Sequence, residues 1–355
     1  MSQIKTRALI TTLIISVVGG YVFYLLNIPL PWMLGPLVFV NLSTLIAKVN
    51  IYWPINIRNA GLIVLGYIMG SPFTLSTLQQ IMVQLPAMLA TTVSTVLFSI
   101  LIGYITHKKT GINLANCILG STPGGMTQMV VLSEEIPTSD TTIVTFMQTI
   151  RLLSVVFIVP FLAFHALPSA TGQMTAVTLT APPDYSTTLI FAAAAIGSAL
   201  AAHFLHFPTP FLLGPMLGTA ALVVSGFTPP PVPSLAVIAA QLFVGIYMGV
   251  TAKPANLQNW KQLLPYSVGG GIAIVLFSLG MGYLLTYWYQ IDLITAFLGT
   301  APGGMTEMGI TAINVGADIS TITAYQLFRL LFMLLILPIF FKWYLVPKQP
   351  ANDNV

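Results

Sequence analysis

Between Arg58 and Lys108, and again between Asp184 and Lys253, no Asp, Glu, Lys or Arg occurs. Uncharged runs of that length leave a soluble fold without the means to wet its surface. A soluble protein carries about 25% charged residues, whereas this chain of 355 residues carries 6%, with 56% hydrophobic residues. Most of the surface must therefore face lipid, and the chain reads as an all-α, polytopic integral membrane protein. No charged stretch is long enough to build a sizeable soluble catalytic domain. Cys117 is the single cysteine, which excludes a disulfide scaffold. The sequence pI near 9.1 does not point to nucleic acid. Its twelve basic residues stand in ones and twos without aromatic interleaving, as loop charges of membrane proteins do.

A spanning helix needs about 20 predominantly apolar residues. The first half offers such stretches at 8–26, 30–47, 59–78, 81–106 and 139–166, with a Gly/Pro-broken segment at 112–133. The second half offers 187–206, 208–226, 232–250, 263–287 and 319–345, with a broken segment at 292–313. The expected architecture is thus a bundle of about 10 spanning helices plus two broken segments. Lys5 and Arg7 precede the first span as in a secretory leader, but no small-x-small cleavage site follows. That span is expected to stay in the mature protein.

One internal offset recurs along the chain. Gly120–Met129 reads GSTPGGMTQM and Gly299–Met308, 179 positions on, reads GTAPGGMTEM, seven identities in ten. Leu34-Gly35-Pro36 with Leu213-Gly214-Pro215, Gly66 with Gly245, Gly70 with Gly249, Pro86 with Pro265 and Gly103 with Gly282 share the same offset. Beyond the broken segments the offset is 178, pairing Asp140 with Asp318, Gln148 with Gln326, Arg151 with Arg329 and Pro160 with Pro338. The chain reads as a fused duplication: a first membrane repeat over 1–170, a linker over 171–186 and a second repeat over 187–355.

Lysine and arginine in loops mark the cytoplasmic side. If the broken segments enter the membrane and return, each half has five true spans. Lys5, Arg7, Lys48, Arg58, Lys108, Lys109, Lys253, Lys261, Lys342 and Lys348 then all lie in the cytoplasm, and both termini with them. Full crossing of the broken segments would put Lys253 and Lys261 outside, so re-entrant segments are preferred. An odd number of spans makes the repeats inverted. Inverted repeats with Gly/Pro-interrupted segments at matching positions point to a secondary transporter with its site near the midplane.

The candidate chemistry lies at those breaks. Pro123-Gly124-Gly125 and Pro302-Gly303-Gly304 end one half-helix and begin another, exposing free N–H groups where the helix dipole favours an anion. Thr127 and Thr306 add hydroxyls, and Gln128 and Glu307 break the symmetry. A carboxylate at membrane depth is costly unless paired or protonated, which makes Glu307 a candidate for a coupling proton or sodium ion. The bland alternative is that Gly-Gly permits tight packing and Glu307 sits in a wet headgroup region.

Asp140, Gln148 and Arg151, like Asp318, Gln326 and Arg329, are spaced 8 and 3 apart, so each Asp and Arg share a helix face. An unpaired charge at mid-bilayer costs at least about 2.5 kcal/mol. Two symmetry-related arginines can clamp a carboxylate or phosphate, with Asp140 and Asp318 as further coupling-ion candidates. They can equally cap carbonyls of the neighbouring break or pair with Glu307, and both readings stay open here. Pro31 to Pro36 and Pro208 to Pro215 look like bent openings of the second helix in each half. Gly66/Gly70 and Gly245/Gly249 look like packing faces. His203 and His206 lack a third metal ligand, His107 and His165 look interfacial, and no cofactor or enzyme motif occurs.

At its two PGGMT motifs and flanking Leu-Gly-Pro elements the sequence resembles the bacterial membrane AbrB family, whose members are an AbrB duplication. The resemblance covers nearly the whole chain and implies a multi-pass inner-membrane protein of ten or so helices. It supplies no catalytic residues. Family members carry the labels regulator of gene expression and ammonia monooxygenase. No basic DNA-reading element supports direct regulation, and four scattered histidines do not make an oxygenase metal site. The expected function is secondary transport of a small anionic solute across the inner membrane, without cofactor, metal, direct nucleic-acid contact or enzymatic turnover. Proton or sodium coupling and a homo-oligomer are compatible with it. The alternatives are a membrane-resident regulator acting indirectly and, last, an enzyme.

Overall fold

A computed structural model describes residues 2–46, 49–124, 126–167, 185–207, 209–251 and 260–345. Gly125, Pro208, Lys48, Lys253, Lys348, linker residues 171–184 and the side chains of Thr127 and Lys342 lie outside the described set. Among the described residues there are helices and no strand. In the first half they are α1 (Ser2–Leu25), α2 (Pro31–Leu45), α3 (Ile55–Gly70), α4 (Leu75–Thr110), α5 (Leu114–Ser121), α6 (Met126–Glu135) and α7 (Thr141–His165). The second half contributes α8 (Tyr185–Phe204), α9 (Pro210–Val224), α10 (Ser234–Thr251), α11 (Trp260–Tyr289), α12 (Leu293–Thr300), α13 (Met305–Val315), α14 (Ile319–Leu335) and α15 (Leu337–Leu345). Seven of the helical stretches are long and apolar enough to cross a membrane, and α3 and α9 are shorter apolar helices. This is the make-up of a multi-pass helical membrane protein. Side chains that a soluble fold would hide, such as Val83 on α4 and Leu189 on α8, are 70% exposed.

Local chemistry sets the helix ends. Pro31 and Pro210 open α2 and α9, where a missing N–H leaves nothing unsatisfied. The residues before them, Leu30 and Thr209, both take left-handed backbone, as do Asn27 and His206. Such geometry is uncommon without glycine, and its recurrence one offset apart shows that both bent openings are built alike. At the other end, α14 stops at Ile336, just before Pro338, whose ring cannot continue the hydrogen-bond ladder.

The two sequence copies do not form two separate bodies. Helices α1–α3 pack with α8–α10, and α4–α7 pack with α11–α15. Helix α3 lies against α9 and α10 against α2. Glycine makes these crossings possible: a Cβ at Gly66 or Gly70 would strike the carbonyls of Leu212 or Met216, and one at Gly245 or Gly249 those of Met33 or Leu37. Backbones this close gain van der Waals contact that a side chain would prevent. In the second body, Val155 and Val159 of α7 pack around Phe297 of α12 and Met308 of α13. Met333 and Phe341 of the second half pack around Leu119 and Met129 of the first. Each break is therefore lined by helices of the other copy. The bodies share one apolar cluster that holds Val156 of α7 and Met305 and Ile310 of α13 together with residues of α2, α3, α9 and α10, and α3 touches α13 and α14, with Met69 against Gly309 and Ser320 Oγ donating to the Pro72 carbonyl at 3.1 Å.

Candidate functional site

Both broken segments consist of two short helices joined at the Pro-Gly-Gly sequence: α5 and α6 in the first copy, α12 and α13 in the second. Asn113 starts α5 by accepting from Ala115 N at 2.8 Å. Asn116 Oδ1 then receives the Asp140 backbone N–H at 2.7 Å and the Ser139 hydroxyl at 2.8 Å. The chain end leaving α6 is thus brought back beside the start of α5. In the second copy the Asp318 N–H reaches Thr295 Oγ1 at 3.1 Å, which returns the end of α13 to the start of α12.

The helix that follows each break carries a glutamine and an arginine three residues apart on one face. Gln148 Nε2 donates to the carbonyl of Thr122 at 2.8 Å and to that of Leu119. Gln326 Nε2 donates to the carbonyls of Leu298 at 2.7 Å, Ala301 at 3.1 Å and Gly299 at 3.3 Å. A helix that ends in the protein interior leaves its last carbonyls without partners, and each glutamine satisfies them. Gln148 and Gln326 belong to the spacing pattern read from sequence, yet their role as carbonyl caps was not assigned there.

The arginines differ. Arg329 Nη1 donates to the carbonyls of Ala301 at 2.6 Å and Thr300 at 3.4 Å. Its Nη2 donates to the Gly303 carbonyl at 2.8 Å and to Gln326 Oε1. It is bound to the break itself, the structural alternative of the sequence reading, and the partner is carbonyl oxygen rather than Glu307. Arg151 Nη2 donates to Gln148 Oε1 at 2.7 Å, while its Nε and Nη1 are buried with no partner. Both side chains are 7% exposed. An incompletely bonded cation in such a place costs several kcal/mol, roughly the strength of one charge-assisted partner it lacks.

A cavity of about 10 Å³ lies at each arginine, room for roughly one water. Thr91, Thr92 and Thr95 of α4 wall the one at Arg329, with Thr300 and Tyr325. Thr91 and Thr95 each donate to a carbonyl of their own helix at 2.8 Å, which leaves them little demand for a ligand. The cavity at Arg151 is walled by Ser121, by Tyr266 and Ser267 of α11, and by Gly270 and Gly271 where the other copy has Thr91 and Thr92. Ser267 Oγ is buried without a partner. The serine, tyrosine and threonine lining was missed in sequence because α4 and α11 carry no Asp, Glu, Lys, Arg or His at that depth; their pairing at one offset was the available signal.

At the tips, Pro123, Gly124 and Pro302 are buried, Gly303, Gly304 and Thr306 partly so. Gly304 starts α13 without a side-chain cap, and a Cβ there would strike the carboxylate of Glu307. Glu307 occupies the third position of that helix, from which a glutamate reaches back toward the start. The expected anion cradle of the second tip is therefore covered by the chain's own carboxylate, whose Oε2 is buried and unpartnered. In the first copy Gln128 takes that position, and its Oε1 is buried and unpartnered too. Asp140 and Asp318 are exposed helix caps. Asp140 Oδ1 accepts from Thr142 N at 2.8 Å, and Asp318 accepts from Ser320 N at 3.0 Å, Thr321 N at 3.4 Å and the Thr321 hydroxyl at 2.6 Å. Sharing a face does not bring them to the arginines, since eleven helical residues separate them by about 16 Å. No cluster of three metal-ligating side chains occurs among the described residues.

Comparison with known proteins agrees with the architecture. Residues 32–345 match the family model described as "Transition state regulatory protein AbrB". The chain is 27% identical over 352 residues to "Uncharacterized protein YhjN" of Bacillus subtilis (strain 168), covering 92% of this chain and 91% of that one. It is 25% identical over 322 residues to "Putative regulator AbrB" of Escherichia coli (strain K12), covering 91% and 92% respectively.

Proposed function

The chain belongs to the AbrB family, and from that premise we propose that it is a secondary transporter of a small anionic solute, working without cofactor or chemical conversion. The observation that carries this reading is the pair of buried arginines at corresponding positions of two broken helices, one of them with unpartnered donors. A buried cation of that kind inside a membrane bundle is retained for a ligand or a pathway. Return of each break to its starting side, through Asn116 with Asp140 and Thr295 with Asp318, supports re-entrant segments. With five true spans per half, the repeats are inverted and the termini cytoplasmic in the bacterial inner membrane.

Alternating access then runs between the two packed bodies, α1–α3 with α8–α10 and α4–α7 with α11–α15, rather than between the sequence halves. The apolar contact between the bodies, which includes α3 with α13 and α14, is the surface that slides. Glu307, buried beside that surface on α13, is the residue placed to exchange a proton or sodium ion, whereas Asp140 and Asp318 serve as caps. The regulatory name of the Escherichia coli relative supports an indirect second role, because a carrier that alters the level of a metabolite alters transcription without touching DNA.

Purified protein in vesicles tests the proposal. With an imposed proton or sodium gradient, labelled small carboxylates, phosphates and amino acids are offered, and one anion class is expected to accumulate above protein-free vesicles. No accumulation under any gradient overturns transport. Cysteines introduced at Glu134 and Val315 should label from the cytoplasmic and outer sides respectively; labelling from one side sinks the inverted arrangement.

A further inference from the structure

The two arginine cavities are built on one plan and completed differently. A guanidinium has five N–H donors. At Arg329 both terminal nitrogens are bonded to carbonyls of the break and to Gln326. At Arg151 the three donors on Nε and Nη1 have no partner, although the side chain is 7% exposed. Ser267 Oγ, on a residue 6% exposed, faces the same cavity and is also unpartnered. Two buried, unsatisfied donor groups in one cavity are rare in a folded protein and mark where an acceptor is missing.

We infer that the cavity at Arg151 is the anion subsite of this protein and takes the carboxylate of a small monocarboxylate, while its counterpart at Arg329 is a fixed strut that binds none. The inference rests on the transport reading and narrows it to one site and one class. The donors there are a guanidinium and hydroxyls, which suit a carboxylate oxygen. Among the described residues no second cation lines the cavity, so its charge balances a monoanion, and the neighbouring Ile102 and Met147 offer apolar wall to a short carbon chain. The room of about 10 Å³ admits one oxygen of the head group, the remainder lying toward the cavity mouth. Gly270 keeps that room open: a Cβ there would come within 2.9 Å of Ile102 Cγ2, and threonine occupies the matching place, Thr91, at Arg329.

The test measures thermal shift and calorimetric binding of the detergent-purified full chain with sodium acetate, propionate and lactate, against sodium chloride and sodium phosphate. The monocarboxylates are expected to bind and stabilise the parent protein. Ser267→Ala is expected to weaken them about tenfold, the effect of one lost hydrogen bond to a charged group. Gly270→Thr and Arg151→Gln are expected to abolish binding while each still unfolds in a single cooperative transition. Carboxylate binding that survives Gly270→Thr and Ser267→Ala overturns the site, and binding of phosphate or chloride in preference to carboxylates overturns the class. The same variants in vesicles separate the two readings. Carboxylate flux indifferent to Gly270→Thr removes the subsite and leaves transport standing. Binding lost in Gly270→Thr, without flux in the parent, keeps the subsite and removes transport.

Discussion

Arg329 and Arg151 occupy matching places in the two copies, follow a glutamine at the same spacing and are equally buried, yet one is held by the break beside it through both terminal nitrogens and the other is not. Arg329 and Gln326 together hold carbonyls from Leu298 to Gly303. Arg151 is held only through Gln148. Two copies of one side-chain set differ in their surroundings, Gly270 for Thr91 or Gln128 for Glu307, and only one of the two arginines keeps unpartnered donors. The difference teaches that a symmetric sequence pattern does not imply symmetric sites.

The sharpest way to break that contrast is to remove each arginine in turn and follow thermal unfolding in detergent. Arg329→Ala leaves the carbonyls of Thr300 and Gly303 bare and takes one of two donors from that of Ala301, and is expected to cost about 3 kcal/mol or more. Arg151→Ala is expected to cost about 1 kcal/mol or to stabilise slightly, because it deletes donors that already lack partners. Equal losses would erase the distinction.

The glutamines sharpen it at smaller scale. Gln148→Leu and Gln326→Leu should each cost about 2 kcal/mol, since both uncover buried carbonyls; a large excess at Gln326 would place the strut function in the pair rather than in Arg329. Gly304→Ala forces the Glu307 carboxylate from the start of α13 and should cost about 1 to 3 kcal/mol, visible as a lower melting temperature that Gly304→Ala with Glu307→Ala, which removes the clashing atoms, does not share in full. The caps come last. Asp318→Ala, losing three hydrogen bonds, should cost about 1 kcal/mol, and Asp140→Ala, losing one, about half that. A larger effect of Asp140→Ala on solute flux than on stability would return Asp140 to the list of coupling residues.

Much of the fold was legible beforehand. Stretches of about 20 apolar residues located the helices, and Pro-Gly-Gly located both breaks, because proline and adjacent glycines cannot continue a helix. The candidate arginines were legible too, since a charge on an otherwise apolar span stands out. Their division of labour was not. Whether a guanidinium finds carbonyl partners depends on atoms brought from α12 or α5 by packing, and the cavity wall on α11 consists of serine, tyrosine and glycine, residues that carry no mark of depth or direction.

Nor did the repeat foretell how the copies interleave. An offset of matching residues records that two segments share a fold, but either copy could have packed its first three helices on its own second three. The close crossings at Gly66, Gly70, Gly245 and Gly249 decide for exchange, because only backbones of different copies approach there. The sequence alone determined a helical membrane chain and its broken segments, through hydropathy and backbone restrictions that act locally. The tertiary structure alone decided which helices share a body and which arginine remains unsatisfied, because both depend on contacts between residues far apart in the chain.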